Sequence, residues 1–138
     1  MVTTPEINLT ELSIEETIDH LKEQFPQAIS ADDRQGYEGI IVDKDKLREV
    51  AQYTKDTLGF DYLSSATAVD YLNEGVQTDD CIEMVYHAYR TTGGGALNFK
   101  SRTERENAEM PSLTPVWMGA DFQEREAWDL YGVNFTDH

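Results

Sequence analysis

The residues best suited to chemistry gather near the C-terminus, in QEREAWDLYGVNFTDH, Gln123 to His138. Glu124, Arg125, Glu126 and Asp129 sit there among Trp128, Leu130 and Tyr131. Two carboxylates that converge can act as a general acid and base. On a helix turning about 100° per residue, Glu124 and Asp129 point about 140° apart, so they meet different surroundings and make no dyad. Metal chemistry needs clustered ligands, yet His20, His87 and His138 fall in three separate segments, none beside a cysteine or second histidine at ligand spacing. Cys81 alone cannot hold an iron–sulfur cluster. Ser64-Ser65 lacks the glycines of a nucleophile elbow. The stretch TTGGGALNFK has no GK[ST] ending and leads into a strand, so its glycines read as a hairpin turn rather than a phosphate loop. No catalytic, cofactor-binding or metal-binding residue is expected in this chain.

As a helix, Ala120 to Tyr131 places Ala120, Ala127, Trp128, Leu130 and Tyr131 on one broad face. Asp121, Arg125 and Asp129 form a stripe at successive turns, and each ion pair in such a stripe contributes only about 0.2–0.5 kcal/mol. Two residues break the division. Glu124 falls inside the apolar arc, where a carboxylate needs a cation, several hydrogen-bond donors or a raised pKa. Phe122 falls on the charged side, as though a second surface were covered. Two readings stay open. Either the helix touches both its own sheet and a partner, or Glu124 caps a local turn and Phe122 is one scattered exposed aromatic.

The elements that must hold this helix follow from patterning. Ser13 and Glu16 form a capping box ahead of Ile14, Ile18, Leu21 and Phe25, and Pro26 ends that helix. QAISAD and YEGIIVD read as short strands around a polar turn at residues 32–36. Asp43 heads a second helix whose inward stripe is Leu47, Val50, Ala51, Tyr53 or Thr54, and Leu58, with Gly59 as its stop. FDYLSSATAVDYL is a strand running to a turn at residues 73–75. CIEMVYHAYR alternates, with Ile82, Met84, Tyr86 and Ala88 on one face and Glu83, Val85, His87 and Tyr89 on the other, as in a half-covered antiparallel strand. ALNFKSRT completes a hairpin, and ERENAEMPSLTPVW is a polar connection to the last helix. The order α-β-β-α-β-β-β-α predicts an α+β fold, its helices on one face of a mixed, largely antiparallel sheet. Residues 1–12 are expected to be a flexible N-terminus and residues 13–138 a single domain.

With 27 acidic and 11 basic side chains, the formal charge is −16. Such a surface repels phosphate backbones and anionic headgroups, which argues against direct binding of nucleic acid or lipid; it leaves open a basic protein partner, or a charge that serves only to keep the domain in solution. One cysteine in 138 residues excludes an internal disulfide. The N-terminus MVTTPEINLTELSIEE has neither the basic and apolar regions of a secretory signal nor the arginines of a transit peptide. No apolar run reaches the roughly 18 residues of a membrane span.

EREAWDLYGVNFTDH resembles the signature of the C-type subunit of the proton-pumping NADH:quinone oxidoreductase, respiratory complex I, the 30 kDa subunit family. That signature runs E-R-E, two residues, an acid, two bulky apolar residues, six residues, then histidine or lysine. Glu124-Arg125-Glu126, Asp129, Leu130-Tyr131 and His138 fill those places. GFDYLSSATAVDYL, IEMVYHAYR and PSLTPVWMGADFQERE also resemble the family's segments in their usual order, and the likeness covers roughly Leu47 to His138. The family pattern continues past this histidine with proline, arginine, apolar positions and a basic tail. A truncated chain, or the front of a longer or fused one, is therefore expected. The resemblance implies a non-catalytic subunit that packs in the hydrophilic arm against the D-type subunit and its neighbours, on the cytoplasmic side of a prokaryotic plasma membrane, without entering the bilayer. FMN, iron–sulfur clusters and quinone would be held by partner subunits. Glu124, Arg125, Glu126, Trp128, Asp129, Leu130, Tyr131 and His138 would form the signature and interface, with Phe122 a second-face contact. Similar domains in membrane-bound hydrogenases and in ferredoxin- or plastoquinone-linked complexes are the nearest alternative. An unrelated acidic interaction module and a free-standing enzyme are the others.

Overall fold

The computed structural model describes residues 8–70 and 81–137. The expected turn at residues 73–75 and His138 lie outside them. The first helix, α1 (Ile14–Gln24), opens on the capping box: Ser13 Oγ accepts from the Glu16 N–H at 3.1 Å, and Glu16 accepts from the Ser13 N–H at 3.0 Å. Strands β1 (Ile29–Ala31) and β2 (Ile40–Val42) follow, then α2 (Leu47–Asp56), β3 (Tyr62–Asp70), β4 (Cys81–Tyr89) and β5 (Ala96–Glu104). Asp43 caps a short 3-10 turn at Lys44–Lys46, which runs directly into α2.

Five strands form one sheet in the order β1-β2-β5-β4-β3. Only the β2–β5 pair is parallel, so the sheet is mixed and largely antiparallel, as the sequence predicts. Glycines 93–95 close the β4–β5 hairpin, with Tyr89 opposite Ala96. Leu21, Leu47, Val50 and Ala51 from the helices share one core with Ile40, Val42, Met84, Tyr86, Ala88, Leu97 and Phe99 from the strands. Gly39 sits where β2 meets β5 at φ +93°, and a Cβ there would overlap the Asn98 carbonyl.

Two features depart from the sequence reading. The polar connection contains a strand, β6 (Glu109–Pro111), and the last helix, α3 (Ala120–Tyr131), is followed by β7 (Asn134–Thr136). β6 and β7 pair in parallel as a separate two-stranded sheet. The face of β4 opposite the core is also more covered than expected. Glu83 is fully buried there, because Arg34 from the β1–β2 loop reaches it at 3.1 Å and Arg102 at 2.8 Å.

Arginines anchor distant segments. Arg90, buried at the end of β4, donates to the carbonyls of Leu58 at 2.8 Å, Leu12 at 2.6 Å and Leu9 at 3.1 Å. Leu9–Glu11 form a 3-10 turn under this clamp, and burial pulls the Arg90 pKa down. From α2, Arg48 donates to the carbonyls of Ser112 and Thr136, tying α2 to the ends of β6 and β7.

Candidate functional site

Helix α3 lies along β3, the outermost strand of the sheet. Gln123 Oε1 accepts from the Ala66 N–H, an amide on the free edge of β3, and a Cβ on Gly119 would sit 3.7 Å from the Leu63 carbonyl. Covering that edge removes a template for unwanted strand pairing. Gly132, at φ +71° with its N–H on the Trp128 carbonyl, ends the helix in a left-handed cap.

The close approach decides which side chains face inward. Ala120, Glu124 and Ala127 are the buried residues of α3. Trp128, Leu130 and Tyr131, expected on the inward face, are 59%, 71% and 41% exposed. The packed positions are taken by Ala120 and Ala127, which let the helix lie close, and by Glu124, whose carboxylate is held by the 112–114 turn, so the large apolar residues fall outside them. Phe122 is 71% exposed, and the preceding Met118 is exposed too. Among the described residues, the exposed large hydrophobics are Tyr37, Tyr62, Met118, Phe122, Trp128, Leu130 and Tyr131. All but Tyr37 belong to α3, to the turn leading into it, or to the start of β3.

Glu124 resolves as a buried acceptor. Its carboxylate takes hydrogen bonds from Ser112 Oγ at 2.6 Å, the Leu113 N–H at 2.7 Å and Thr114 Oγ at 3.2 Å. Ser112 Oγ in turn accepts from the Thr114 N–H at 3.1 Å, and the Trp117 indole donates to the Phe60 carbonyl at 2.8 Å. Glu124 therefore locks the turn between β6 and α3 onto the helix. Arg125 pairs with Asp121 at 3.2 Å on the exposed side, and among the described residues it makes no ion pair with Asp129. Arg125, Trp128, Asp129, Asn134 and Phe135 line a groove of about 440 Å³ beside Glu124. Glu126 is exposed. Ser112, Thr114 and Arg48, which complete this junction, carry no sequence signal beyond their polarity.

Across the core, Tyr86 stacks on Phe99 with ring centroids 5.0 Å apart. Burial, and secondarily the Glu124 charge, raise its phenol pKa well above the usual range. Its hydroxyl is buried without a hydrogen-bond partner among the described residues. Tyr86→Phe removes that unsatisfied group and should leave the urea midpoint unchanged or raise stability by up to about 1 kcal/mol. A loss of that size instead would mean the hydroxyl is engaged in the folded protein.

The two described histidines lie on different elements. His20 bonds Tyr53 Oη at 2.7 Å, and His87 lies half-buried on the sheet. No group of three or more His, Cys, Asp or Glu side chains able to hold a metal forms among the described residues. No helix among them is long and apolar enough to cross a membrane.

Residues 40–138, from β2 to the end of the chain, match the family described as respiratory-chain NADH dehydrogenase, 30 Kd subunit. The chain belongs to that family. It is 40% identical over 99 residues to the C-type subunit of the NADH-quinone oxidoreductase of Moorella thermoacetica, covering 72% of this chain and 64% of that protein. It is 39% identical over 126 residues to the C-type subunit of the F(420)H(2) dehydrogenase of Methanosarcina mazei, covering 88% of this chain and 75% of that one. A combined C/D-type NADH-quinone oxidoreductase protein of Phocaeicola vulgatus is 34% identical over 102 residues, 73% of this chain and 18% of the longer one. Among solved structures, a chain of the membrane-bound sulfane sulfur reductase, an archaeal respiratory membrane complex, superimposes with a TM-score of 0.71 at 28% identity, over 90% of this chain and 71% of that one. These relatives are named as subunits or chains of complexes that differ in the substrate named for each. The matched region spans the α3 junction and four of the five strands of the sheet, β2 to β5.

Proposed function

We propose that this chain is a scaffold subunit of a proton-pumping NADH:quinone oxidoreductase and docks on the D-type subunit through the outer face of α3. One observation carries the reading: five of the seven exposed large hydrophobics among the described residues lie on α3 or the turn into it, with Tyr62 on β3 and Tyr37 apart. Contiguous exposed apolar residues rimmed by charge are characteristic of a protein-binding surface. Asp121, Arg125, Glu126 and Asp129 lie interspersed with these apolar side chains on α3. A relative named as C and D types in one protein supports the D-type subunit as the neighbour. Redox chemistry belongs to the partners on this reading, with FMN, iron–sulfur clusters and quinone in other subunits. Protein contacts then hold the chain on the cytoplasmic side of a prokaryotic membrane. The relatives named for F(420)H(2) dehydrogenase and for sulfane sulfur reduction give a second reading, the same scaffold in a complex with another electron donor or acceptor.

The test is capture of the tagged protein from its own host's detergent-solubilised membranes, followed by mass spectrometry and an NADH:quinone assay. Wild type is expected to bring down the D-type subunit with activity. Phe122→Asp combined with Leu130→Asp should keep the melting temperature, because both side chains are exposed. It should lower recovery of the D-type subunit by about tenfold or more, the scale of losing central apolar anchors. Full recovery of that subunit by this variant would remove α3 as the interface. Its arrival with a hydrogenase or F(420)H(2) activity would keep the scaffold and change the reaction.

A further inference from the structure

The groove of about 440 Å³ beside Glu124 runs between α3 and β7, with Trp128 and Asp129 on one side and Asn134 and Phe135 on the other. We propose that an extended segment of the D-type subunit enters this groove and adds a strand to the free edge of β7. The inference rests on docking through α3, because Trp128 belongs both to that exposed face and to the groove wall.

The ladder of the small sheet shows which main-chain groups are left over. β7 runs parallel to β6 with Phe135 opposite Met110. The Asn134 N–H bonds the Ala108 carbonyl at 2.9 Å, and the Thr136 carbonyl accepts from the Ser112 N–H at 3.0 Å. Bonding direction alternates along a strand, so Phe135 turns its N–H and carbonyl away from β6. No other described group bonds them. Each of the other outer edges has an amide engaged. The Glu109 N–H on β6 bonds Thr103 Oγ at 3.1 Å, and the Ala66 N–H on β3 bonds Gln123. On β1, the Ile29 N–H bonds the Phe25 carbonyl at 3.2 Å. An unpaired strand edge is a template for another strand, and such pairing is a recurring mode of peptide recognition.

The side chains around this edge define the segment that fits. Trp128 offers an apolar wall to one side chain of an alternating strand. Arg125 is held by Asp121 at 3.2 Å, and the Glu124 carboxylate by the 112–114 turn. Asp129 is exposed and forms no ion pair among the described residues. The uncommitted charge of the groove is therefore negative, as is the chain's net −16, and the segment carries lysine or arginine beside Asp129. A helix in the same place would leave Phe135 unpaired, because its own amides are bonded internally.

The test follows hydrogen exchange by mass spectrometry over residues 133–138, in the purified chain and in the complex captured with the D-type subunit. The Asn134 and Thr136 amides are already bonded to β6, so one further slow amide is expected in the complex. Phenyllactic acid in place of Phe135 exchanges the N–H for an ester oxygen and keeps the side chain. The melting temperature should change little, since β6 does not use that N–H, while recovery of the D-type subunit falls about fivefold or more. Asp129→Lys, at an exposed position, should lower recovery about tenfold. No slowed amide in the complex, or full recovery with the ester, would overturn the strand pairing. If Phe122→Asp with Leu130→Asp still abolished capture, docking through α3 would stand without it. Full recovery with Asp129→Lys would overturn the basic segment. If wild type captured no D-type subunit, both readings would fall. A Phe135 amide already slow in the purified chain would overturn the proposal too. Dependence on concentration would then mark a second copy as the occupant, and independence this chain itself.

Discussion

Glu124→Ala is expected to destabilise the protein by about 3–5 kcal/mol, because it strips a charged acceptor from two buried donors and leaves a cavity. Ser112 and Leu113 are both fully buried, so neither the hydroxyl nor the amide can turn to water for a replacement. The damage should spread along the chain. The turn from residues 112 to 117 also seats Trp117, whose indole bonds the Phe60 carbonyl, and it sets the entry of α3 along β3. Glu124→Gln keeps one carbonyl oxygen but presents an amide donor where a second acceptor stood. It should cost less, about 1–2 kcal/mol. Urea unfolding of the three proteins, followed by circular dichroism, gives the ranking. A neutral alanine variant would show that the junction is held by packing alone. Equal losses for glutamine and alanine would show that both carboxylate oxygens are needed together. Either substitution should also weaken capture of the D-type subunit, since a loosened turn lets α3 shift on the sheet edge.

How much of this junction could be read beforehand depended on how local its causes were. The Ser13–Glu16 box, the stop at Gly59 and the hairpin at glycines 93–95 each rest on residues within a few positions of one another. Each appears where its spacing placed it. The alternation in β4 also located its core face correctly. Glu124 was legible as a problem, a carboxylate in an apolar arc, and its need for donors was met by Ser112, Leu113 and Thr114. The inward face of α3 was not legible, because a helical wheel weighs apolarity while the packed face carries two alanines and a carboxylate whose partners come from the 112–114 turn. Nor were β6 and β7. β6 lies in a polar, proline-flanked stretch that reads as a connection, and the pairing joins Met110 to Phe135 across an intervening helix. The arginine clamps share that difficulty. Arg48 looks like a solvated helix residue until Ser112 and Thr136 arrive beside it from far along the chain. Only Arg90 left a trace, as a charge closing an otherwise well-alternating strand.

The β1–β2 loop supplies the other large expected effect. Asp32 accepts from Arg34 Nε at 2.8 Å and from Lys100 Nζ, and its side chain is fully buried. Hydrogen bonds from Arg34 foremost, then from Lys100, hold its carboxyl far below the ordinary value of 3.8 against the opposing pull of burial. Asp32→Asn leaves Lys100, itself buried, short of its countercharge, and should cost about 3–5 kcal/mol at pH 7. The sign of the pH dependence follows from the lowered pKa. A carboxyl that is more acidic folded than unfolded contributes its full stabilisation above the unfolded value of 3.8, and loses it as pH falls below that toward the folded value. The stability gap between wild type and Asp32→Asn should therefore stay constant from about pH 5 to 8 and narrow by about 1 kcal/mol at pH 3. A gap that is unchanged at pH 3 would mean that the ionised carboxylate is not what holds the loop. Adding Lys100→Met to Asp32→Asn separates the pair from its surroundings, because it removes the stranded charge while keeping the stem. Partial recovery of stability is expected. A double variant as unstable as the sum of its parts would show that Lys100 does more for the fold through Glu38 than through Asp32.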